Sequence, residues 1–336
     1  MVPDTIIDNR RAGKDLFDHD LERTIKAIGV EQRRVSENMT VLDLAVEAAK
    51  RLQIRASYDY RVFGGLVFVT ATPDNLMPNN ATLAQHLLNL PTDSACFDIS
   101  LACSGYPYGL WISGMMARAL KKPILLLAGE TDSHLSSPRD RATALLFADA
   151  GTATVIEPCD EAAPWYFRFL TNGALRDALI IPEGGYRNRV SRDSVEYSQY
   201  PDGGVRRGID LHMDGMAVFG YVVNNLPNVI RAVMNQNQRT PEDYDALVLH
   251  QANLFMNKQI AKQLNFASAK VPVSMDRYGN VGSGSIPLTI AVELLGQTPD
   301  LSSASPLPSI ALSRKRILLA AFGAGMSIGV AEINFP

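Results

Sequence analysis

Short apolar segments of strand type alternate with amphipathic helical segments along the chain, and this alternation restricts the fold more than any other feature. Such alternation is typical of mainly parallel sheets covered by helices. In the first half it predicts helices at 41–52, 81–90 and from about 104 to 120, and strands at 65–70, just before 103, at 123–129 and at 151–157. In the second half it predicts helices at 216–235, 254–264 and 285–297, strands at 246–249 and 270–274, and a final strand pair within 317–331. The chain is therefore predicted to contain two α/β halves.

The two halves are assigned to residues 1–158 and 159–336. Residues 160–212 are polar, rich in Gly and Arg and irregular, which predicts an insertion at the start of the second half. Long irregular segments either cover functional sites or run over the surface, and both interpretations stay open. Residues 300–313, rich in Ser and Pro, predict a loop before the last strands.

Cys103 stands where an apolar strand breaks into small residues ahead of a helix. Amide groups at a helix N-terminus carry partial positive charge, which favours a thiolate and provides N–H donors for an oxyanion. A lone cysteine of this kind is more often a small buried hydrophobe. The segments described next favour the reactive interpretation.

His250 ends the apolar strand 246–249 and precedes a helix, while Asn280 lies in the Gly- and Ser-rich loop 276–287 before another helix. Alone, His250 would be a core histidine and Asn280 a turn residue beside glycine. Cys103 shares this placement with both residues. Each of the three is a reactive type of residue that lies after a strand or in a tight loop, just before a helix.

Four motifs carry a family resemblance. They are Ala-Cys-Ser-Gly at 102–105, His-Gln-Ala-Asn at 250–253, Gly-Asn-Val-Gly-Ser-Gly-Ser-Ile-Pro at 279–287 and Ala-Phe-Gly-Ala-Gly-Met-Ser-Ile-Gly at 321–329. In this order they resemble β-ketoacyl-[acyl-carrier-protein] synthase III, a family of thiolase-like condensing enzymes, over nearly the whole chain. The resemblance implies an α/β, duplicated five-layer αβαβα fold of thiolase type.

The resemblance also implies the chemistry. Cys103 would take an acyl group from a thioester, and His250 and Asn280 would stabilise the enolate formed when malonyl-acyl carrier protein loses carbon dioxide. The backbone N–H groups of Cys103 and Ala324 would form a second oxyanion hole, although the family has glycine at the latter position. The substrates would be thioesters of coenzyme A or acyl carrier protein, with no metal and no other cofactor.

Departures from the family pattern bear on the substrate. Arg141 retains a basic residue of the coenzyme A site, but Arg23 stands where a tryptophan is common, which predicts priming from acyl carrier protein. Phe255 replaces a basic residue and is assigned to substrate binding. Lys258 and Lys262 on the same predicted helix are candidates for docking an acidic carrier protein, or are simply solvated charges.

The resemblance further predicts a homodimer. Met77 aligns with a loop that reaches the acyl pocket of the partner subunit, where a flexible thioether would suit a long or irregular acyl chain. The alternative is that Met77 only packs the dimer core. The family also opens with a strand before the dipeptide that stands here at Val2-Pro3. Either this strand is absent or the given N-terminus is incomplete, and we expect the latter because a missing strand would leave an exposed sheet edge.

Composition excludes other classes of function. The net charge of −3 and the lack of a basic block give no basis for nucleic-acid binding. Three cysteines are too few for a disulfide framework, which favours the cytoplasm, and no signal peptide is evident. The apolar run 317–331 is short and interrupted by glycines, so no membrane segment is predicted. Decarboxylative condensation is the leading function; acyl transfer to an alcohol or amine and a non-catalytic partner subunit are the alternatives.

Overall fold

Two four-stranded sheets form the centre of the molecule. The computed structural model describes residues 1–160, 163–302, 312 and 314–335, without the side chains of Asp18, Arg55 and Ala56. The strands of the two sheets are β1 Gly65–Val69, β2 Ala95–Ile99, β3 Ile124–Thr131, β4 Asp149–Ile156, β5 Tyr166–Thr171, β6 Ala246–Leu249, β7 Arg316–Gly323 and β8 Ser327–Asn334. The longer helices are α1 Leu21–Ile28, α2 Val41–Ala56, α3 Asn80–Leu87, α4 Gly105–Leu120, α5 Gly215–Gln236 and α6 Leu254–Gln263, and a shorter α7 spans Ser285–Thr289.

The first sheet has the order β2-β1-β3-β4, and the second has the order β6-β7-β8-β5. In the first sheet β1 is parallel to β2 and β3, and only β4 is antiparallel. In the second sheet only β6 and β7 are parallel. The expectation of mainly parallel sheets is therefore confirmed for the first sheet and wrong for the second.

Helices lie outside and between the sheets. Buried side chains of α2 and α3 pack on the outer face of the first sheet, and those of α5 and α6 pack on the outer face of the second. Between the sheets, α4 and α7 contribute Leu110, Ala117 and Ile286 to one core with inward residues of both sheets. This order of layers confirms the five-layer αβαβα arrangement.

Local sequence explains where the helices begin. Thr40 and Asp43 form a reciprocal capping box at the start of α2. The side chains of Asp214 and Asn253 accept hydrogen bonds from backbone N–H groups in the first turns of α5 and α6. These caps satisfy donors that a helix leaves open, so the helix starts follow from short-range sequence.

Three predicted segments differ in the structure. Residues 270–274 form no strand; a 3₁₀ turn at Ser268–Lys270 is followed by irregular chain. The predicted helix 285–297 changes at Ile290 into a π-helical segment that ends at Leu294. The predicted insertion 160–212 includes β5, a strand of the second sheet, so the irregular part begins after Thr171.

Strand β4 lies at the edge of the described first sheet. The backbone of Met1 contacts this edge, because the N–H of Gly151 donates to its carbonyl oxygen at 3.0 Å. Most of the predicted loop 300–313 lies outside the described residues. Within the described part of the chain, no helix is both long enough and apolar enough to cross a membrane.

Candidate active site

Cys103 lies in a single 3₁₀ turn, Ala102–Ser104, which we call the nucleophile turn and which leads directly into α4. Ala102 has a φ of +42°, a conformation that is uncommon for a residue with a Cβ. The turn reverses the chain between β2 and α4 and leaves Cys103 only 8% exposed. Gly105 allows α4 to begin against the first sheet, since a Cβ there would collide with Val69.

Burial controls the protonation of Cys103. It raises the pKa of this thiol well above the ordinary value, and the negative charges of Asp132 and Glu130 act in the same direction. The expectation that the helix N-terminus favours a thiolate is therefore wrong for the unliganded protein. The loss of hydration outweighs the helix dipole, because a dipole contributes at most about 2 kcal/mol.

The end of β7 packs against the nucleophile turn. A Cβ on Gly323 would lie 2.9 Å from the Cβ of Cys103 and 3.1 Å from the backbone nitrogen of Ser104. Only glycine fits at this position without displacement. The hydroxyl groups of Ser104 and Ser327 are 2.7 Å apart, and that of Ser327 donates to the carbonyl oxygen of Ala324. The turn between β7 and β8 is thereby tied to the nucleophile turn.

His250 follows the last residue of β6 and is almost completely buried. Its backbone N–H donates to the carbonyl oxygen of Ala320, and its ring lies edge-on to Phe322 with centroids 5.2 Å apart. Burial lowers the pKa of His250 to about 3, so the imidazole is neutral at physiological pH. Its Nδ1 has no hydrogen-bond partner among the described residues.

The residues after His250 hold the strand end in place. Gln251 donates to the carbonyl oxygen of Leu249 and accepts from the N–H of Ser274 at 3.0 Å. Asn257 donates to the carbonyl oxygen of His250 at 3.1 Å. The imidazole of His250 is thus free to react, while the side-chain amides of Gln251 and Asn257 hold the backbone around it. The sequence analysis identified only His250.

Asn280 lies in the segment Gly279–Gly284, which we call the asparagine loop, and is 4% exposed. Its backbone exchanges hydrogen bonds with the segment Leu146–Ala148. Its Oδ1 accepts from the N–H of Gly282 at 3.1 Å. Because Oδ1 is held in this way and Nδ2 has no partner among the described residues, the amide N–H₂ is available to donate.

Ser283 and Glu130 fix the asparagine loop to the first sheet. The Ser283 hydroxyl lies within 3.2 Å of the carbonyl oxygens of Val69 and Gly129 and 3.0 Å from Glu130 Oε1. Burial raises the pKa of Glu130 to about 7. Neither residue was identified from the sequence, because their roles depend on contacts across more than a hundred residues.

These three segments meet at one place. The nucleophile turn contacts both the end of β7 and the asparagine loop, and His250 packs on Phe322, the neighbour of Gly323. The carboxyl ends of strands from both sheets converge there. The structure therefore brings Cys103, His250 and Asn280 into one buried region, with the partly buried Ala324 in the adjoining turn.

The other predicted site residues lie further out. Arg141 is exposed, and its guanidinium stacks on the ring of Phe17 at 4.8 Å. Met77 is 85% exposed in the loop between β1 and α3. Phe255 is half exposed on α6, stacked on Phe219.

Lys258 and Lys262 are exposed one turn apart on α6. Within the described residues, no group of three or more His, Cys, Asp or Glu side chains is placed to hold a metal ion.

Comparisons with known proteins place the chain in a family. The family of 3-oxoacyl-[acyl-carrier-protein] synthase III matches residues 97–180, and its C-terminal domain matches residues 234–298. The chain is 32% identical to a putative 3-oxoacyl-[acyl-carrier-protein] synthase 3 of Campylobacter jejuni, over 94% of this chain and 85% of that protein. It is 30% identical to a 3-oxopimeloyl-[acyl-carrier-protein] synthase of Brucella abortus, over 90% and 86% of the two chains.

A solved structure agrees with these matches. The 3-oxoacyl-(acyl-carrier protein) synthase of Burkholderia xenovorans is 31% identical and superposes with a TM-score of 0.87, over 99% of this chain and 91% of that chain. Its fold and sequence are both similar to those described above. The chain therefore belongs to the β-ketoacyl-[acyl-carrier-protein] synthase III family of thiolase-fold condensing acyltransferases.

Proposed function

We propose that Cys103, His250 and Asn280 condense an acyl primer with a malonyl thioester on acyl carrier protein. The supporting observation is the convergence of the three segments that carry them, through the contacts of the nucleophile turn with Gly323 and the asparagine loop. A thiol, a neutral imidazole and an amide donor are the groups that this reaction requires.

In the first step, the sulfur of Cys103 attacks the carbonyl carbon of an acyl thioester. The raised pKa of Cys103 means that a base removes its proton during the attack, and the neutral ring of His250 is able to accept it. The new S–C bond replaces the bond to the carrier, whose thiolate leaves and takes that proton. The backbone N–H groups of Cys103 and Ala324 stabilise the oxyanion of the tetrahedral intermediate.

In the second step, malonyl-acyl carrier protein loses its carboxylate as carbon dioxide, and the electron pair remains on the thioester as an enolate. Asn280 Nδ2 and an N–H of the His250 ring donate to the enolate oxygen. Each well-placed donor of this kind contributes about 2.7–4 kcal/mol, roughly a hundred- to thousand-fold in rate. The enolate carbon then bonds to the acyl carbonyl carbon, and the bond to the Cys103 sulfur breaks.

The same proposal includes the donor and the partner. An acyl carrier protein delivers the primer, because Arg23 offers no aromatic ring for an adenine. Lys258 and Lys262 are exposed on α6 for an acidic partner, and Phe255 lies beside them. Arg141 contacts the carrier arm.

The chemistry needs thioesters and no further cofactor. The described cysteines are free thiols, which suits a reducing cytoplasm. The halves 1–158 and 159–336 supply Cys103 and the His250–Asn280 pair respectively, so the site forms only where both halves meet. The protein works as a homodimer in which Met77, exposed in one chain, reaches the partner's acyl pocket.

The test follows the two steps separately. Wild-type, Cys103→Ala, Asn280→Ala and the control Cys159→Ala proteins are incubated with acyl-coenzyme A and acyl-carrier thioesters, then with malonyl-carrier, and read by intact mass. We expect an adduct in every protein except Cys103→Ala. We expect Asn280→Ala to discharge it into β-ketoacyl product roughly a hundred- to thousand-fold more slowly than wild type.

Three results would contradict the proposal in whole or in part. An adduct that only an alcohol or amine acceptor discharges would show a non-decarboxylating acyltransferase. No adduct with any thioester would remove the enzymatic proposal. Equal efficiency with coenzyme A and carrier donors would remove only the assignment of the donor.

A further inference from the structure

Asp132 carries a buried carboxyl group beside the candidate site. The proposed reaction assigns no role to this group. It follows the last residue of β3 and is 7% exposed. Its backbone carbonyl accepts from Ser136, but its carboxyl group has no hydrogen-bond or ion-pair partner among the described residues. A mostly buried polar group without a partner is unfavourable, so this side chain contributes no hydrogen bond to the fold.

The neighbouring carboxyl groups of Glu130 and Asp149 differ from that of Asp132, because both accept hydrogen bonds from other groups of the protein. Glu130 accepts from the backbone N–H groups of Ala71 and Thr72 and from three hydroxyl groups. Asp149 accepts from the N–H of Ser36 and from the backbone and side chain of Ser133. Asp132 alone of the three is left without donors in the described structure.

The position of Asp132 is next to the reaction. Alternate residues of β3, namely Leu126, Ala128 and then Glu130, face the layer that contains α4, and Asp132 begins the 3₁₀ turn that follows this strand. A Cβ on Gly282, in the asparagine loop, would lie 2.8 Å from Asp132 Oδ2. The charge of Asp132 also acts on Cys103. The carboxyl group therefore lies against the asparagine loop and close enough to the nucleophile to act on it.

We propose that Asp132 binds a hydroxyl group on the acyl primer, so that this enzyme selects hydroxylated acyl chains over plain ones of the same length. The inference rests on the proposed function, since the acyl chain is the one that Cys103 carries. A hydroxyl group both donates and accepts hydrogen bonds, so it would supply the hydrogen-bond partner that Asp132 lacks within the described protein.

Charge favours a hydroxyl over ionised groups. Burial and the neighbouring Glu130 and Asp149 raise the pKa of Asp132 well above its ordinary value, because the region disfavours a further negative charge. A carboxylate on the primer would add another negative charge to this cluster. An ammonium group would be attracted by these carboxyl groups but would lose much more hydration on burial than a hydroxyl group does.

The experiment compares matched substrates and matched variants. Straight-chain acyl thioesters and their counterparts with one hydroxyl group, at each carbon in turn, are offered to wild type, Asp132→Leu and Asp132→Asn. The kcat/KM for acylation of Cys103 is read by intact mass. We expect wild type to prefer one hydroxylated chain by roughly ten- to a hundredfold. We expect Asp132→Leu to lose this preference and Asp132→Asn, which keeps the hydrogen bonds, to retain most of it.

A second readout separates recognition from a structural role. Because Asp132 has no partner in the described structure, Asp132→Leu should unfold at the same or a higher Tm than wild type. A lower Tm in both variants would overturn the inference, because it would show that Asp132 supports the fold.

The failures are distinguishable. If wild type forms no adduct, the proposed function falls and the inference falls with it. If wild type and Asp132→Leu condense all primers with the same ratios, or if both prefer aminoacyl or dicarboxylic chains, the inference alone is overturned.

Discussion

At the scale of single residues, the neutral state of His250 is a consequence of burial. Its ring is enclosed by β7 and Phe322, and Nδ1 has no partner among the residues described. A charged imidazole would lose its hydration without a counter-ion, so the protein holds the ring in the form that can accept a proton. The same environment makes the free energy of unfolding depend on pH through His250.

The contribution of His250 to the stability of the fold should therefore fall as pH decreases through the window from about 6.5 to about 3. In this window the unfolded chain protonates His250 and the folded chain does not, since burial lowers the folded pKa to about 3 from 6.5. The unfolded state then binds more protons, and the free energy of unfolding falls by up to about 1.4 kcal/mol per pH unit. Glu130, with a pKa raised to about 7 from 4.5, acts in the opposite direction between these two values.

Comparison with a variant isolates the histidine. We expect His250→Asn to lose less stability than wild type between pH 6.5 and pH 4.5, measured by urea unfolding at a series of pH values. His86→Asn, a change at an exposed position of α3, is the control and should follow wild type. Parallel curves of unfolding free energy against pH for wild type and His250→Asn would contradict the lowered pKa of His250.

At the scale of elements, the contact between β7 and the nucleophile turn depends on the absence of one Cβ. Gly323→Ala would place a methyl group 2.9 Å from the Cβ of Cys103. Strand β7 is held in a packed sheet, so we expect the nucleophile turn to move instead. We expect acylation of Cys103 to slow by roughly a hundredfold, with a loss of about 1–3 kcal/mol in stability.

Gly220→Ala is the matched control. A Cβ at this position in α5 has no atom within 4 Å, so the substitution should leave acylation unchanged and slightly favour the helix. Acylation kinetics and thermal unfolding of the two variants give the comparison. Wild-type acylation in Gly323→Ala would show that the turn tolerates the methyl group.

The element scale also shows what periodicity cannot provide. Helices and strands of the core were predicted to within a few residues, because caps and apolar spacing are local properties. The tight glycine-rich turn predicted between β7 and β8 agrees with their antiparallel pairing, but the antiparallel pairing of β8 with β5 was not predicted because β5 is distant in sequence. The strand predicted at 270–274 does not form, because Gln251 binds the N–H of Ser274 in place of a neighbouring strand.

At the scale of the whole molecule, one chain leaves apolar side chains in water. Leu76 and Met77 are more than 80% exposed, and Met115 on α4 is 61% exposed. Single exposed apolar residues are common on monomers, but Met77 lies in the loop that is assigned to the acyl pocket of the partner subunit. The proposed homodimer would cover them.

Sedimentation equilibrium should therefore give twice the mass of one chain. Met77→Glu should shift the population toward monomer, because a charge would be buried in the proposed interface. Met216→Glu, at a position that is 87% exposed at the start of α5, is the control and should remain dimeric. A monomeric wild type, or two variants that behave alike, would contradict the proposed interface.

The sequence by itself determined the family and most helices and strands, because motifs, caps and apolar periodicity are read from neighbours along the chain. The five layers followed from the family resemblance, and Cys103, His250 and Asn280 were its candidates for the site. Only the tertiary structure decided the protonation of Cys103, the lock formed by Ser283 and Glu130, and the open carboxyl group of Asp132. Each of these depends on which distant groups share one buried region. Burial changes the energy of a charge or a hydrogen bond, and a linear pattern does not contain it.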